Sequence, residues 1–223
     1  MLSMKEILAR CDHTLLRQDA TWTEIRQVCD DARQFGCASA CIPPAWVRPA
    51  AEYVGNTLKL CTVIGFPNGY STTQVKVFET EDAIRAGADE IDMVINLGWV
   101  KDSRWEDILE EIRSVKASCQ GRILKVIVEA CLLEEEEKVT LCQLVSQAGA
   151  EYIKTSTGFS DGGATLEDVA LFRAHVGPGV KIKAAGGIHT VEQAEAMIEV
   201  GADRIGSSAL VKVAKREATH HSL

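Results

Sequence analysis

Residues 86–92 read AGADEID, residues 148–154 read AGAEYIK and residues 200–206 read VGADRIG. A weaker copy, FGCASAC, spans residues 35–41. Each copy closes a helix-like segment, turns at a glycine and enters a short apolar run. Glycine suits that turn, because a helix C-terminus commonly ends on a left-handed residue. The runs that follow read as apolar on both faces, as buried parallel strands do. Further strand candidates are KLCTVI (59–64), ILKVIV (123–128) and VKIKA (180–184), and a short one at residues 11–14 completes eight. Amphipathic helical stretches separate most of them, for example residues 105–117 and 135–148. Strand–helix alternation at this spacing builds parallel βαβ units. Eight units in 223 residues predict an α/β fold, a (β/α)8 TIM barrel forming a single domain over residues 1–223. A doubly wound sheet is the alternative, but no G-x-G-x-x-G follows the first strand to support it.

The bulk numbers agree with that size of core. Hydrophobic residues make up 46%, and 24 Lys+Arg against 32 Asp+Glu leave a net charge of −8. An acidic surface has no global attraction for nucleic acid or anionic membranes, so neither is expected as a partner. No apolar run approaches the length of a membrane span. The start, MLSMKEILAR, reads as an amphipathic helix rather than a secretory signal. The eight cysteines form no C-x-x-C pair and no His/Cys cluster with zinc spacing. They read as small, reduced, buried hydrophobes of a cytoplasmic protein. The run LEEEE (133–137) opens a helix, where acidic residues complement the dipole.

The repeat also sets a register. Five positions after each glycine stand Cys41, Asp92, Lys154 and Gly206, near the carboxyl ends of their strands. Barrel active sites are built at that end from several strands. Two lysines stand out there: Lys154 in YIKTSTGF (152–159) and Lys183 in VKIKAAGGI (180–188), each ending a strand before small residues. One such lysine is commonly only a surface residue, but two on consecutive strands suggest chemistry. A neutral lysine amine attacks a carbonyl to form an imine. Free lysine, with a pKa near ~10.4, is protonated at neutral pH, and burial or a second cation lowers that value. Lys183 is the candidate second cation, and Asp92 the candidate proton carrier or water holder. The set amounts to a carbon–carbon lyase or transaldolase kit. The imine is the electron sink, so no metal and no cofactor is required.

Two loops carry phosphate signals. AAGGI (184–188) follows the seventh strand, and IGSSA (205–209) follows the eighth and runs into a helix. Barrels bind phosphate at these loops through backbone amides and a helix N-terminus. Gly186, Gly187 and Gly206 allow close approach, and Ser207 and Ser208 add hydroxyls. Either pair alone is usually a turn or a cap.

These residues resemble the deoxyribose-phosphate aldolase family along nearly the whole chain. The motifs are CDHTLLRQDAT (11–21), ACIPPAWV (40–47), TVIGFPNG (62–69), EIDMVINLG (90–98), LKVIVEACLL (124–133), YIKTSTGFS (152–160), VKIKAAGGI (180–188) and DRIGSS (203–208). The resemblance implies a class I aldolase that reversibly cleaves 2-deoxy-D-ribose 5-phosphate to D-glyceraldehyde 3-phosphate and acetaldehyde. It implies Lys154 as the Schiff-base lysine, with Lys183 and Asp92 as proton donors and acceptors. It places Asp12, Thr14, Cys41 and Lys125 near the substrate, and Gly186, Gly187, Gly206, Ser207 and Ser208 in the phosphate pocket. It implies a small-molecule phosphosugar partner and a homo-oligomer, dimer or tetramer. Four features depart from the family pattern: Pro43, His189, Ala209 and the tail EATHHSL, which lacks a C-terminal tyrosine. They bear on phosphate affinity and turnover rather than on reaction type. Two other readings stay open: a related barrel lyase for another phosphosugar, set by residues 155–163, and a non-catalytic phosphometabolite sensor.

Overall fold

The computed structural model describes residues 1–220. Residues 221–223, the end of the tail noted above, lie outside that range. In chain order the elements are α1 (Met4–Leu8), β1 (Cys11–Thr14), α2 (Trp22–Gln34), β2 (Ser39–Cys41), α3 (Val47–Val54), β3 (Leu60–Ile64), α4 (Thr73–Ala86), β4 (Glu90–Val94), α5 (Leu97–Lys101) and α6 (Trp105–Ser118). They continue with β5 (Ile123–Ile127), α7 (Glu135–Gln147), β6 (Tyr152–Lys154), α8 (Leu166–His175), β7 (Lys181–Ala185), α9 (Val191–Glu199), β8 (Arg204–Ser207) and α10 (Leu210–His220). The eight strands close into a parallel barrel in sequence order, β8 pairing back onto β1. The chain is a single-domain (β/α)8 barrel. No helix among the described residues is long and apolar enough to cross a membrane.

Local chemistry explains the punctuation. The repeat glycines Gly36, Gly87, Gly149 and Gly201 all have positive φ, as the turn out of a helix requires. Thr21 caps α2 and Thr190 caps α9, each in a reciprocal capping box with Glu24 and Gln193. The acidic run does open α7, where the Glu137 carboxylate accepts the Glu134 amide N–H at 2.8 Å.

The strands differ from expectation in one respect that matters. They are not apolar on both faces. Ile91, Met93, Leu124, Val126, Ile153, Ile182, Ala184 and Ile205 join the hydrophobic core between sheet and helices. The residues alternating with them meet inside the barrel, and in β4 to β8 these are Glu90, Asp92, Lys125, Tyr152, Lys154, Lys183 and Arg204. Successive strand side chains alternate faces, so a polar or charged residue stands next to an apolar one, as in Glu90–Ile91–Asp92 and Tyr152–Ile153–Lys154. Inside β2 and β3 the filling is apolar: Cys41, Cys61 and Val63 pack under Leu16 and Phe66. Lys183 also does not end its strand. β7 runs two residues further, which sets Lys183 at the level of Lys154 on the neighbouring strand.

A second buried ion pair lies outside the barrel. Lys76 of α4 donates to Glu111 Oε1 of α6 at 2.6 Å and to the carbonyls of Gly69 (2.6 Å) and Val94 (2.8 Å). Thr73 donates to the other Glu111 oxygen at 2.9 Å. Burial pulls the Lys76 ammonium below the ordinary lysine value, and Glu111 restores it only in part. Removing one partner strands a buried charge. Glu111→Ala should therefore cost about 3–5 kcal/mol in denaturant unfolding, while the paired Lys76→Met, Glu111→Leu protein recovers most of it. Equal losses in both proteins would contradict this account of the pair.

Candidate active site

Asp92, in the middle of β4, is the hub of the barrel interior. Its Oδ2 accepts Lys154 Nζ at 2.8 Å and Lys183 Nζ at 2.7 Å. Its Oδ1 accepts Lys125 Nζ at 2.9 Å and the Cys61 thiol at 3.2 Å. Asp12 of β1 forms a second hub. Its Oδ2 lies 2.7 Å from Lys183 Nζ and 3.5 Å from Lys125 Nζ, and its Oδ1 accepts Arg204 Nη1 and Ser39 Oγ, each at 2.7 Å. Below them Glu90 Oε1 sits 2.6 Å from Lys125 Nζ and accepts Arg204 Nη1 at 2.8 Å. Arg204 also donates to the Tyr152 hydroxyl at 3.2 Å.

Burial opposes every charge in this cluster, and the partners reverse it. Burial would raise the Asp92 carboxyl, but Lys125, Lys154 and Lys183 together hold it well below the usual carboxylate range. Burial would likewise raise Asp12, and Lys125, Lys183 and Arg204 hold it below that range. Burial would lower Lys125 and Lys183, but Asp12 and Asp92 hold both well above the ordinary lysine value. Lys125 and Lys183 are therefore persistent cations at neutral pH.

A cavity of about 390 Å³ opens above the cluster at the carboxyl ends of the strands. Lys154 and Lys183 are both in its lining, although only 3% and 1% exposed. Thr14, Gly186, Gly187, Gly206, Ser207 and Ser208 line it too. Asp12, Asp92, Cys41 and Lys125 do not reach it, being fully buried beneath its floor. Of the residues expected near a substrate, Thr14 alone therefore faces the open space, and Asp12, Cys41 and Lys125 form a supporting layer.

Close packing shapes the glycine side of the cavity. A Cβ on Gly163 would lie 2.3 Å from the Gly186 carbonyl oxygen, and one on Gly206 would lie 3.0 Å from Lys183 Cε. The Ser207 hydroxyl is already engaged. It donates to the Ile188 carbonyl at 2.8 Å and accepts the Ala209 amide N–H at 3.1 Å, tying β8 to the start of α10. Ser208 lines the cavity beside it. His189 also lines the cavity, and its amide N–H is held by Gln193 at 2.8 Å.

Several participants were missed by sequence reasoning. Glu90, Arg204 and Tyr152 complete the charge cluster, and the signal was a polar residue set beside an apolar one in each of their strands. Cys61 belongs to the cluster rather than to a passive core, and burial pushes its thiol up, keeping it protonated as a donor to Asp92. Lys212 and Arg17 are the basic residues of the cavity rim. Arg17 is held by Asp19 and Glu24, whereas Lys212 has no acidic partner among the described residues.

Two groups bring metal-type ligand atoms together, Cys41 with Cys61 and Asp92, and Asp12 with Cys61 and Glu90. All of these donors but Cys41 surround an ammonium. Lys125 Nζ is 2.6 Å from Glu90, 2.9 Å from Asp92 and 3.3 Å from Cys61.

The description "DeoC/LacD family aldolase" matches residues 7–216. The chain belongs to the DeoC/LacD aldolase family. It is 58% identical over 218 residues to the deoxyribose-phosphate aldolase of Streptococcus pyogenes serotype M4, covering 98% of each chain. A solved aldolase superposes with a TM-score of 0.91 at 36% identity, covering 97% of both chains. The deoxyribose phosphate aldolase of Aeropyrum pernix, described as a unique tetramer, gives 0.88 at 33% identity over 95% of this chain and 90% of that one. The chain is thus a lyase of the aldolase type.

The cluster makes a testable contribution to stability. The Asp12 carboxyl is depressed in the fold, so its contribution is complete above the unfolded value near ~3.9 and fades as pH falls below it. The stability difference between the protein and Asp12→Asn should be constant from about pH 5 to 8 and shrink below about pH 4 in denaturant unfolding. A difference that grows on acidification would contradict the assignment.

Proposed function

We propose that the protein reversibly cleaves 2-deoxy-D-ribose 5-phosphate to D-glyceraldehyde 3-phosphate and acetaldehyde, with Lys154 as the Schiff-base lysine. One observation carries the choice of lysine. Three lysines converge on Asp92, and they differ in how firmly carboxylates hold them. Lys125 contacts Asp12, Glu90 and Asp92 and lies beneath the cavity floor. Lys183 contacts Asp12 and Asp92. Among the described residues Lys154 contacts the carboxylate of Asp92 alone, and it faces the cavity.

Charge counting supports the same choice. Lys125, Lys183 and Arg204 balance Asp12, Glu90 and Asp92 one for one. A neutral amine at Lys154 leaves the buried cluster with no net charge, and a neutral amine is the nucleophile the reaction needs.

On this reading the Lys154 amine attacks C1 of the open-chain aldehyde. The carbinolamine loses water to give a protonated imine. The C2–C3 bond then breaks, its electrons flowing into the imine as the C3 hydroxyl gives up its proton. The carbon count requires this bond rather than C3–C4, since acetaldehyde carries carbons 1 and 2. The resulting enamine is protonated at C2, and water releases acetaldehyde and restores Lys154. Lys183, in the cavity lining, exchanges protons with a water at the floor, and Asp92 beneath it, 2.7 Å from Lys183 and 2.8 Å from the Lys154 nitrogen, relays those protons and steadies the positive charge on the bound nitrogen. Asp12 and Lys125 fix the positions of Lys183 and Asp92. At the far end, Gly186, Gly187, Gly206 and Ser208 take the phosphate at the start of α10, with Lys212 as its counter-charge. All eight thiols are free, six of them buried, with Cys37 half-buried and Cys131 exposed against the expectation of buried cysteines; free thiols suit a cytoplasmic setting. A homo-oligomer, dimer or tetramer, is the assembly we expect, in keeping with the tetramer described for the Aeropyrum pernix relative.

Cleavage of 2-deoxyribose 5-phosphate, followed by aldehyde release, tests the reading. Lys154→Arg should lose about 10⁴-fold or more in kcat, and a chelator should change nothing. Lys212→Ala should raise KM about 10-fold for the phosphorylated sugar while leaving unphosphorylated 2-deoxyribose unaffected. A folded protein that binds the sugar phosphate without cleaving it would overturn the reading and favour a sensor.

A further inference from the structure

One buried carboxylate near the site takes no part in the charge cluster. Glu129 stands just beyond β5, 3% exposed, with φ 53° and ψ 62°. A non-glycine residue there is held in the left-handed region only when its surroundings enforce it, and such residues gather at functional sites. Its carboxylate has no cationic partner among the described residues. Both of its oxygens go to one residue instead: Oε1 accepts the Thr157 amide N–H at 3.0 Å, and Oε2 accepts the Thr157 hydroxyl at 2.6 Å. A desolvated carboxylate held this way is an expensive means of merely closing a loop.

What Thr157 does next gives the expense a purpose. Thr157 Oγ1 accepts the Phe159 amide N–H at 3.0 Å. Thr157, Gly158 and Phe159 are the wall of the cavity that follows directly on Lys154. The Phe159 ring meets Phe66 edge-on, with centroids 5.4 Å apart, and so closes the apolar side of the mouth. Glu129 is also fixed to the Lys154 strand from behind. The Val128 amide donates to the Lys154 carbonyl at 3.1 Å and the Ala130 amide to the Thr155 carbonyl at 2.8 Å. The carboxylate therefore sets the angle at which the wall leaves the strand that carries the lysine.

We infer that Glu129 is a positioning residue, which through Thr157 sets the wall that seats the sugar against Lys154. It touches neither the cavity nor the cluster, and it acts by geometry. The inference rests on the aldolase reading of that cavity, but it fails separately, because the unaltered protein reports on the reading and the variants report on Glu129.

The test compares Glu129→Ala, Thr157→Val, their combination and Glu129→Gln, with 2-deoxyribose 5-phosphate as substrate and unfolding midpoints measured alongside. Each single truncation should raise KM about 10-fold or more, because a displaced wall misplaces the substrate. The combination should be within about threefold of the worse single variant, because both changes break one link. Glu129→Gln should recover most of the affinity, since its amide oxygen still accepts the Thr157 N–H. Borohydride reduction with saturating substrate should still label Lys154 in all of them. An unchanged KM with a lowered unfolding midpoint would make Glu129 a structural clamp only and overturn the inference. So would effects that multiply in the combined variant. Should Glu129→Ala fail to fold, Thr157→Val and Glu129→Gln decide the matter. An unaltered protein with no cleavage would instead sink the reading beneath it.

Discussion

Asp92 has two oxygens and three lysine neighbours, and the interior of the barrel is arranged around that imbalance. One carboxylate cannot satisfy three lysines equally. Lys125 gains Glu90, Lys183 gains Asp12, and Lys154 gains no second carboxylate among the described residues. The difference in partners divides the labour. Two lysines are fixed as cations, and one is left at the cavity floor as the candidate nucleophile. Arg204 completes the arrangement, bridging Asp12 and Glu90 so that three fixed cations meet three carboxylates.

A polar barrel interior moves the hydrophobic work outward. The strand residues that stabilise the fold are those facing the helices, where Ile91, Ile153, Ile182 and Ile205 join one continuous core. The inward face is free to hold charges because each is paired and hydrogen-bonded. The sector of β2 and β3 carries no charge, its Cys41, Cys61 and Val63 packing together while the Cys61 thiol still reaches Asp92. The chemistry and the stability thus occupy opposite faces of the same strands, one residue apart in sequence.

That alternation also explains what could be read in the sequence. The barrel was legible because glycine-turned helix ends recur before four of the eight short strands, and Gly87, Gly149 and Gly201 adopt the conformation that the pattern requires. Lys154, Lys183 and Asp92 were legible because they interrupt apolar runs. Glu90, Arg204 and Tyr152 interrupt the same runs, yet strands taken as apolar on both faces gave no reason to bring them together. Which charge faces which depends on the stagger of strands around the barrel, and no local pattern encodes that. Cys61 resembled its seven neighbours in composition and differs only by what lies across from it. Glu129 carried no signal, because a left-handed backbone at a glutamate is imposed by the packing around it.

The most direct test of this division of labour is to ask which of the three lysines reacts. The protein would be incubated with 2-deoxyribose 5-phosphate and borohydride, then digested and mapped by mass. The account predicts a reduced adduct on the peptide carrying Lys154, with Lys125 and Lys183 unmodified. An adduct on Lys183 or Lys125, or none in a protein that turns the substrate over, would contradict it.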